Sequence, residues 1–278
     1  MSYCYDILKK SKTLHLDECE AISIQKKITT VRITDSEIAE IKQNQEDSVA
    51  VRVIHEKKIM SGRLSGKEEN FLEKILESKS FVKPKSFWKS LPFPSKIMPI
   101  DRTYDSKLAS MSGTSAIDIA NDMINSATHK NITRISGSLN IVSEHFHIMN
   151  TNDIDYSDES TFIAGTINAD SEVSNLPVSG IGAISSRTLE SFSAQDVGND
   201  ALEMCVDSIN PKRVEQDLYD IIFEPYAFGE LLAFVFSANF NLKTYSEKRS
   251  CFSEKLGKTL ANENFNLMDD PHSRDGIG

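Results

Sequence analysis

Ser48-Val49-Ala50-Val51-Arg52-Val53-Ile54 is the stretch on which the fold turns. Val49, Val51 and Val53 alternate with Ala50, Arg52 and Ile54, the period of two that puts successive side chains on opposite faces of a sheet. Working outward, residues 20–62 read as a series of short strands, with His55-Glu56 in a polar strand-to-strand turn. Ser65 and Glu68 then have the S-x-x-E spacing of a capping box. Phe71, Leu72, Ile75 and Leu76 follow at helical spacing, which predicts a helix over 67–78. Strands followed by a helix that folds back on them make the N-terminal region α+β.

Between Lys79 and Arg102 lie Pro84, Pro92, Pro94 and Pro99, half of the 8 prolines in the chain. Each removes a backbone donor and biases its predecessor to extended backbone, so 91–104 reads as a connector. A second α+β region follows over 105–215. It holds a helix at 115–128 carrying Ile119, Met123, Ile124 and Ala127, then strand-like runs at 132–142, 146–149, 160–168 and 180–187. Ser193 opens a helix with Val197, Ala201, Met204, Cys205 and Ile209 on one face, ended by Asn210-Pro211. From 216 a third region begins with the strand-like Tyr219–Phe223. Pro225 suits the first turn of the next helix, 225–237, which is apolar nearly all round and is expected to be buried. The expected architecture is two packed α+β units, 1–90 and 105–215, and then the first part of a β-rich C-terminal domain.

Composition limits the functions available. The chain has 278 residues, 31 Lys and Arg against 41 Asp and Glu, and a formal charge of −10. An acidic chain is poorly suited to a phosphate backbone or an anionic membrane face, so neither nucleic acid nor membrane is expected as a direct partner. Cys4, Cys19, Cys205 and Cys251 are scattered without a C-x-x-C pair, which suits a reducing compartment. The N-terminus, MSYCYDILKKSK, has no apolar signal core, and the apolar run Ala227–Ala238 is interrupted by Glu230 and too short to span a bilayer. A cytoplasmic location is the resulting expectation.

The candidate chemistry is sparse. His55-Glu56 does not begin a zincin helix, because Ile59 and Met60 stand where the second histidine would be. His145 and His147 flank Phe146 and share one face of a strand. Asp153, Asp155, Asp158 and Glu159 follow, so either a solvated strand face or a zinc site completed by a third ligand is open. Gly180-Ile181-Gly182 lacks a third glycine and lies in a strand-like run, where close packing of a neighbour explains it better than a nucleotide loop. Asp269-Asp270-Pro271 reads as a loop anchored by carboxylates or as charge placed at a site.

Four stretches, in this order, resemble the TldD/PmbA family, the modulators of DNA gyrase classed with metallopeptidases. Ser48–Val53 with Lys58 and Gly62 is similar to the family's early strand pair, Ser48 replacing the usual glycine. The helix at 194–209 ending in Asn210-Pro211-Lys212 resembles the one closing the central region. Tyr219–Pro225 resembles the opening of the C-terminal domain. Ser253–Lys258 with Leu267–Pro271 resembles the later G-k-l-G and D-D-P stretch. The resemblance marks Arg52, Gly62, Pro225, Gly257, Asp269, Asp270 and Pro271 as motif positions, structural in character.

In TldD-type chains, the resemblance implies, an H-E-x-x-x-H motif on the helix after the proline turn and a later cysteine hold the metal. Those motif positions here are Ala233, Phe234 and Ala238. The resemblance is therefore to the PmbA branch, also called TldE, which lacks its own zinc motif. It implies a subunit that assists peptide processing beside a zinc-bearing TldD-like partner, or a homodimer. No cofactor is expected in this chain. The substrate would be a peptide or an unfolded polypeptide, and helix 225–237 and the sheet edges would be the contact surfaces. The alternatives are a self-sufficient metallopeptidase using His145 and His147, and a non-proteolytic scaffold or binding module. The family continues past the D-D-P loop, whereas Gly276-Ile277-Gly278 stands inside its glycine-rich sequel, so a shortened C-terminal domain is expected.

Overall fold

Two hairpins with two-residue turns establish the sheet. β1 (Glu18–Thr34) turns into β2 (Glu37–His55) at Asp35-Ser36, and β2 turns into β3 (Lys58–Ser65) at Glu56-Lys57. All four turn residues have φ between 51° and 64°, the left-handed pair whose twist matches that of the flanking strands. His55-Glu56 is thus in a tight turn, where Glu56 N–H donates to Asp17 Oδ2 at 2.7 Å. The computed structural model describes residues 3–96, 99–173, 176–270 and 272.

β4 (Arg134–Asn150), β5 (Asp155–Ser171) and β6 (Val178–Ser186) complete one antiparallel sheet in the order β3-β2-β1-β4-β5-β6. The separate runs expected at 132–142 and 146–149 are one strand. β1 pairs with β4 along most of its length, from Glu20↔Asn150 to Ile33↔Gly137. The regions 1–90 and 105–215, expected as two packed units, consequently share one sheet and belong to one unit reaching Asn210. The physical reason is that β1, with β2 on one side, still presents a full row of unpaired N–H and C=O groups on the other, and β4 satisfies them.

The helices lie on one face of the sheet in two groups. α1 (Tyr3–Thr13) and α2 (Phe71–Glu77) cover one end, burying Cys4, Ile7, Phe71, Leu72 and Ile75 against Cys19, Ala21, Val49, Val51 and Val53. At the other end, α4 (Gly113–Ala127) and α5 (Ala194–Asp207) cover Val31, Ile33, Ile135, Leu139, Ile163 and Ile167. α3 (Ser106–Ala109) is one short turn before α4. Ser112 and Ser193 cap α4 and α5 by accepting N–H donors three residues on. Met123, Ile124, Ala127, Val197, Ala201 and Cys205 are buried as their spacing predicts, while Met204 is 36% exposed.

The helix expected over 67–78 starts at Phe71, and its predicted capping box does not form. Asn70 occupies the cap position without a side-chain bond, and Ser65 ends β3. Glu68 is drawn to α1 instead: its N–H donates to Tyr3 Oη at 2.9 Å and its carbonyl accepts the same hydroxyl at 2.6 Å. On the opposite sheet face, Ile22, Ile24, Ile28, Val142, Phe146, Ile148 and Phe162 are half-buried. One end of this face is held by the proline-rich connector. Glu18 accepts Trp88 Nε1–H at 2.8 Å and Leu91 N–H at 2.7 Å, and Leu91 is fully buried.

Pro211–Pro271 form a second unit. The expected strand at Tyr219–Phe223 is irregular, and no strand occurs among the described residues of this unit. α6 (Pro225–Leu231) starts on Pro225 as predicted, then widens into a π-type turn over Leu232–Phe236 and a 3-10 turn over Ser237–Phe240. The helix was expected to be buried; Phe234 is 83% and Val235 56% exposed, because this unit brings no apolar layer against them. Its packing is local, with Phe228 near Phe223 and Phe265, and Phe240 stacked on Phe252 at 4.9 Å. α7 (Leu242–Ser246) follows.

Candidate functional site

The gap between the two helix groups leaves part of the sheet floor open, and polar residues fill it. The register sets Asp47, Gln25, His145 and Glu159 in one row across β2, β1, β4 and β5. The neighbouring row is Val49, Ser23, His147 and Ser157. Alternation puts both rows on the helix-bearing face, continuous with Ala21 on one side and Thr29 and Val31 on the other. Tyr3, Gly66 and Lys67 wall a cleft of about 490 Å³ over the first part of this floor. Thr103 and Tyr104 border a further hollow of about 380 Å³ over His145, Ser157 and Glu159.

His145 and His147 do share a face and a cleft, as their spacing predicts. His147 Nε2 lies 2.7 Å from Asp155 Oδ1, which orients the ring, and the His147 carbonyl accepts from Cys4 Sγ at 3.7 Å. Asp158 instead accepts the Tyr156 hydroxyl at 3.0 Å. Asp153 sits in the β4–β5 turn with φ of 66°. Among the described residues no three His, Cys, Asp or Glu side chains converge on one point as metal ligands would. The floor offers imidazoles, amide, hydroxyl and carboxylate groups to an extended polar ligand.

The motif positions lie in different elements. Arg52 is exposed on β2, its Nη1 3.7 Å from Glu20 across the β1–β2 pair. Gly62 lies on β3 under α2, where a Cβ would come within 2.9 Å of Ile75. Gly257 takes φ of 77° in a turn, and Asp269 and Asp270 are exposed in irregular chain. Pro271 lies outside the described residues. Ala233, Phe234 and Ala238 are exposed, and their methyl and phenyl groups have no lone pair for zinc. Residues at these positions do not fit a metal.

Sequence reasoning missed the roles of Ser23, Gln25 and Asp47, which become site residues only through the β1–β4 and β1–β2 registers. It also missed Asp105. This carboxylate caps α3 through Lys107 N–H and accepts Leu189 N–H, each at 2.8 Å. Burial opposes its ionisation, but these donors and the Leu108 N–H outweigh burial and hold its pKa below the ordinary value. Two thiols move the other way. Burial pushes Cys19 up to about 12 and also raises Cys205.

Residues 216–278 match the PmbA/TldA metallopeptidase C-terminal domain. The match covers 63 of the 278 residues and is to the C-terminal domain of the family that the sequence resembles. The chain is also similar to an uncharacterized protein of Methanocaldococcus jannaschii, 21% identical over 223 residues that make up 80% of this chain and 51% of the relative. Among solved structures, a candidate modulator of DNA gyrase from Bacteroides thetaiotaomicron superposes with a TM-score of 0.81 at 16% identity, covering 92% of this chain and 60% of that one. A second candidate modulator, from Thermotoga maritima, gives 0.78 at 17% identity with 92% and 59% covered. TldE from Thermococcus kodakarensis gives 0.74 at 14% identity with 91% and 58% covered. These likenesses establish the TldD/PmbA fold. The chain spans about half the length of the curated relative and about three-fifths of the solved chains. No described helix is long and apolar enough to cross a membrane.

Proposed function

We propose that this chain is a PmbA- or TldE-like subunit of the TldD/PmbA family that assists peptide processing without a zinc site of its own. The observation that carries the reading is Ala233, Phe234 and Ala238 at the positions of the H-E-x-x-x-H motif. A peptidase must hold the ion and polarise its water, and neither alanine nor phenylalanine does so. Zinc would reside in a TldD-like partner, in a cytoplasmic heterodimer or beside a homodimer of this chain. This chain's part would be to close a chamber and position a peptide or unfolded polypeptide. The half-buried apolar sheet face around Ile24, Phe146 and Phe162 supports the reading, since it is suited to burial against another surface.

Co-expression with a TldD-like chain bearing H-E-x-x-x-H tests it. Zinc and peptide cleavage are expected only when that chain co-purifies. Stoichiometric zinc and peptidase activity in this chain alone would refute the reading. Replacing His145 and His147 together by alanine is expected to leave its metal content unchanged. DNA is not an expected partner at a net charge of −10, and a steep salt-dependent affinity for it would contradict that.

A further inference from the structure

The two edges of the sheet are treated differently. β3 carries Lys58 and Arg63, and the connector is fastened beside it by Lys85 N–H donating to Lys57 O at 2.8 Å. β6, at the other edge, reads Val178-Ser-Gly-Ile-Gly-Ala-Ile-Ser-Ser186, with no charge and no proline. Charge, proline and covering segments are the usual devices that keep an edge strand from pairing with another chain; β6 carries no charge and no proline, and no described strand pairs with its outer edge. Ile181 N–H meets the thioether sulfur of Met204 at 3.4 Å, a weak acceptor. Antiparallel alternation turns the N–H and C=O of Ser179, Ala183 and Ser185 outward on the same side.

α5 lies directly over this strand. Gly180 and Gly182 press against its backbone, and Gly198 presses an adjacent flank of α5 against α4. Asp196, Asp200, Glu203 and Asp207 recur at spacings of four, three and four, forming one exposed acidic stripe on α5 without a basic residue in the helix. The only basic residue that follows β6 before α5 is Arg187, beyond the strand's end. An open row of backbone groups beside a negative stripe suits a strand that brings positive charge. A second copy of β6 would bring a second acidic stripe instead.

We propose that the outer edge of β6 accepts an extended, lysine- or arginine-bearing polypeptide segment by strand addition. The site is independent of the subunit assignment above, because it uses neither the motif positions nor zinc. Backbone bonds to Ser179, Ile181, Ala183 and Ser185 supply the pairing, displacing Met204 from Ile181. The α5 carboxylates supply the charge preference.

The test uses the full chain and fluorescein-labelled, strand-length peptides alternating lysine with threonine, read by anisotropy. Counterparts carry glutamate for lysine, or N-methyl groups on alternate amides. The lysine peptide is expected to bind, more weakly as salt rises, and the glutamate and N-methyl peptides at least about tenfold less well. Ala183→Pro removes one outward N–H and is expected to weaken binding about tenfold. Asp200→Lys with Glu203→Lys changes only exposed side chains and is expected to abolish the preference for lysine. No binding, equal binding of lysine and glutamate peptides, or indifference to N-methylation would overturn the proposal. So would self-association that Ala183→Pro abolishes, which would assign the edge to a second copy.

Discussion

Gly182→Ala puts the helix-on-sheet contact under direct test. A Cβ on Gly182 would stand 2.0 Å from the Val197 carbonyl oxygen and 2.9 Å from Ala201 N, and both are backbone atoms of α5. Relief requires α5 to retreat by about 1 Å, since tolerated Cβ contacts begin near 3.0 Å. Beside α5, the Cα of Gly198 is so close to α4 that a Cβ would lie 2.4 Å from Met123 O, so α5 cannot shift without disturbing that contact as well. The strain therefore spreads into the layer of Val197, Ala201 and Cys205, all fully buried. Overpacking of this kind costs about 1–3 kcal/mol, and a clash with rigid backbone belongs at the upper end. At about 3 kcal/mol the midpoint of thermal unfolding falls by about 10 °C for a unit of this size. Circular dichroism melts of the purified chain measure it, with exposed Ser185→Ala on the same strand as the control, expected to stay within about 0.5 kcal/mol. If Gly182→Ala melts with the control, β6 and α5 do not pack as described.

Three further outcomes follow from individual side chains. Glu18→Ala removes the acceptor of Trp88 Nε1–H and Leu91 N–H, and is expected to cost about 1–3 kcal/mol. Because Trp88 is the only tryptophan, release of the connector is read as a red-shifted emission. Asp105→Ala is expected to cost about 1–2 kcal/mol at neutral pH through loss of a helix cap. The pKa of Asp105 is lower folded than unfolded, so its contribution is present above the unfolded value and is lost as pH falls through the folded one. Wild type and Asp105→Ala should converge in urea melts on acidification; a constant gap would refute the assignment. Cys251 is exposed while Cys4, Cys19 and Cys205 are buried, and the Cys19 pKa of about 12 keeps its thiol protonated. A thiol reagent should modify Cys251 rapidly and the other three only on unfolding, by mass spectrometry.

Local chemistry was legible in the residues themselves. The alternation in Ser48–Ile54 specifies a strand because the pleat has a period of two. Ser193 and the apolar spacing after it specify α5 for a similar reason, since cap and periodicity act within a few residues. Gly180 and Gly182 were readable as a close approach, because a strand omits side chains twice in succession on one face where a neighbour needs the space. The pairing of β1 with β4 was not readable: it joins residues more than 100 positions apart, and no local propensity encodes which free edge a strand will meet. That pairing turned two expected units into one sheet and placed Ser23 and Gln25, with Asp47 beyond them on β2, beside His145 and His147. Tertiary contact also overrode a local signal at Glu68, whose backbone is held by Tyr3 rather than by a capping box.

The sequence by itself determined the identities that bear on chemistry: Ala233, Phe234 and Ala238 where a zinc motif would stand, a charge of −10, and a TldD/PmbA C-terminal segment. None of these depends on where the chain goes in space, because a missing ligand atom is missing in every conformation. Only the tertiary structure decided which surfaces remain available. Whether apolar residues such as Phe234 are covered, and whether the edge of β6 stays open beside the acidic face of α5, depends on what packs against them, and packing is a property of neighbours brought together by the whole fold.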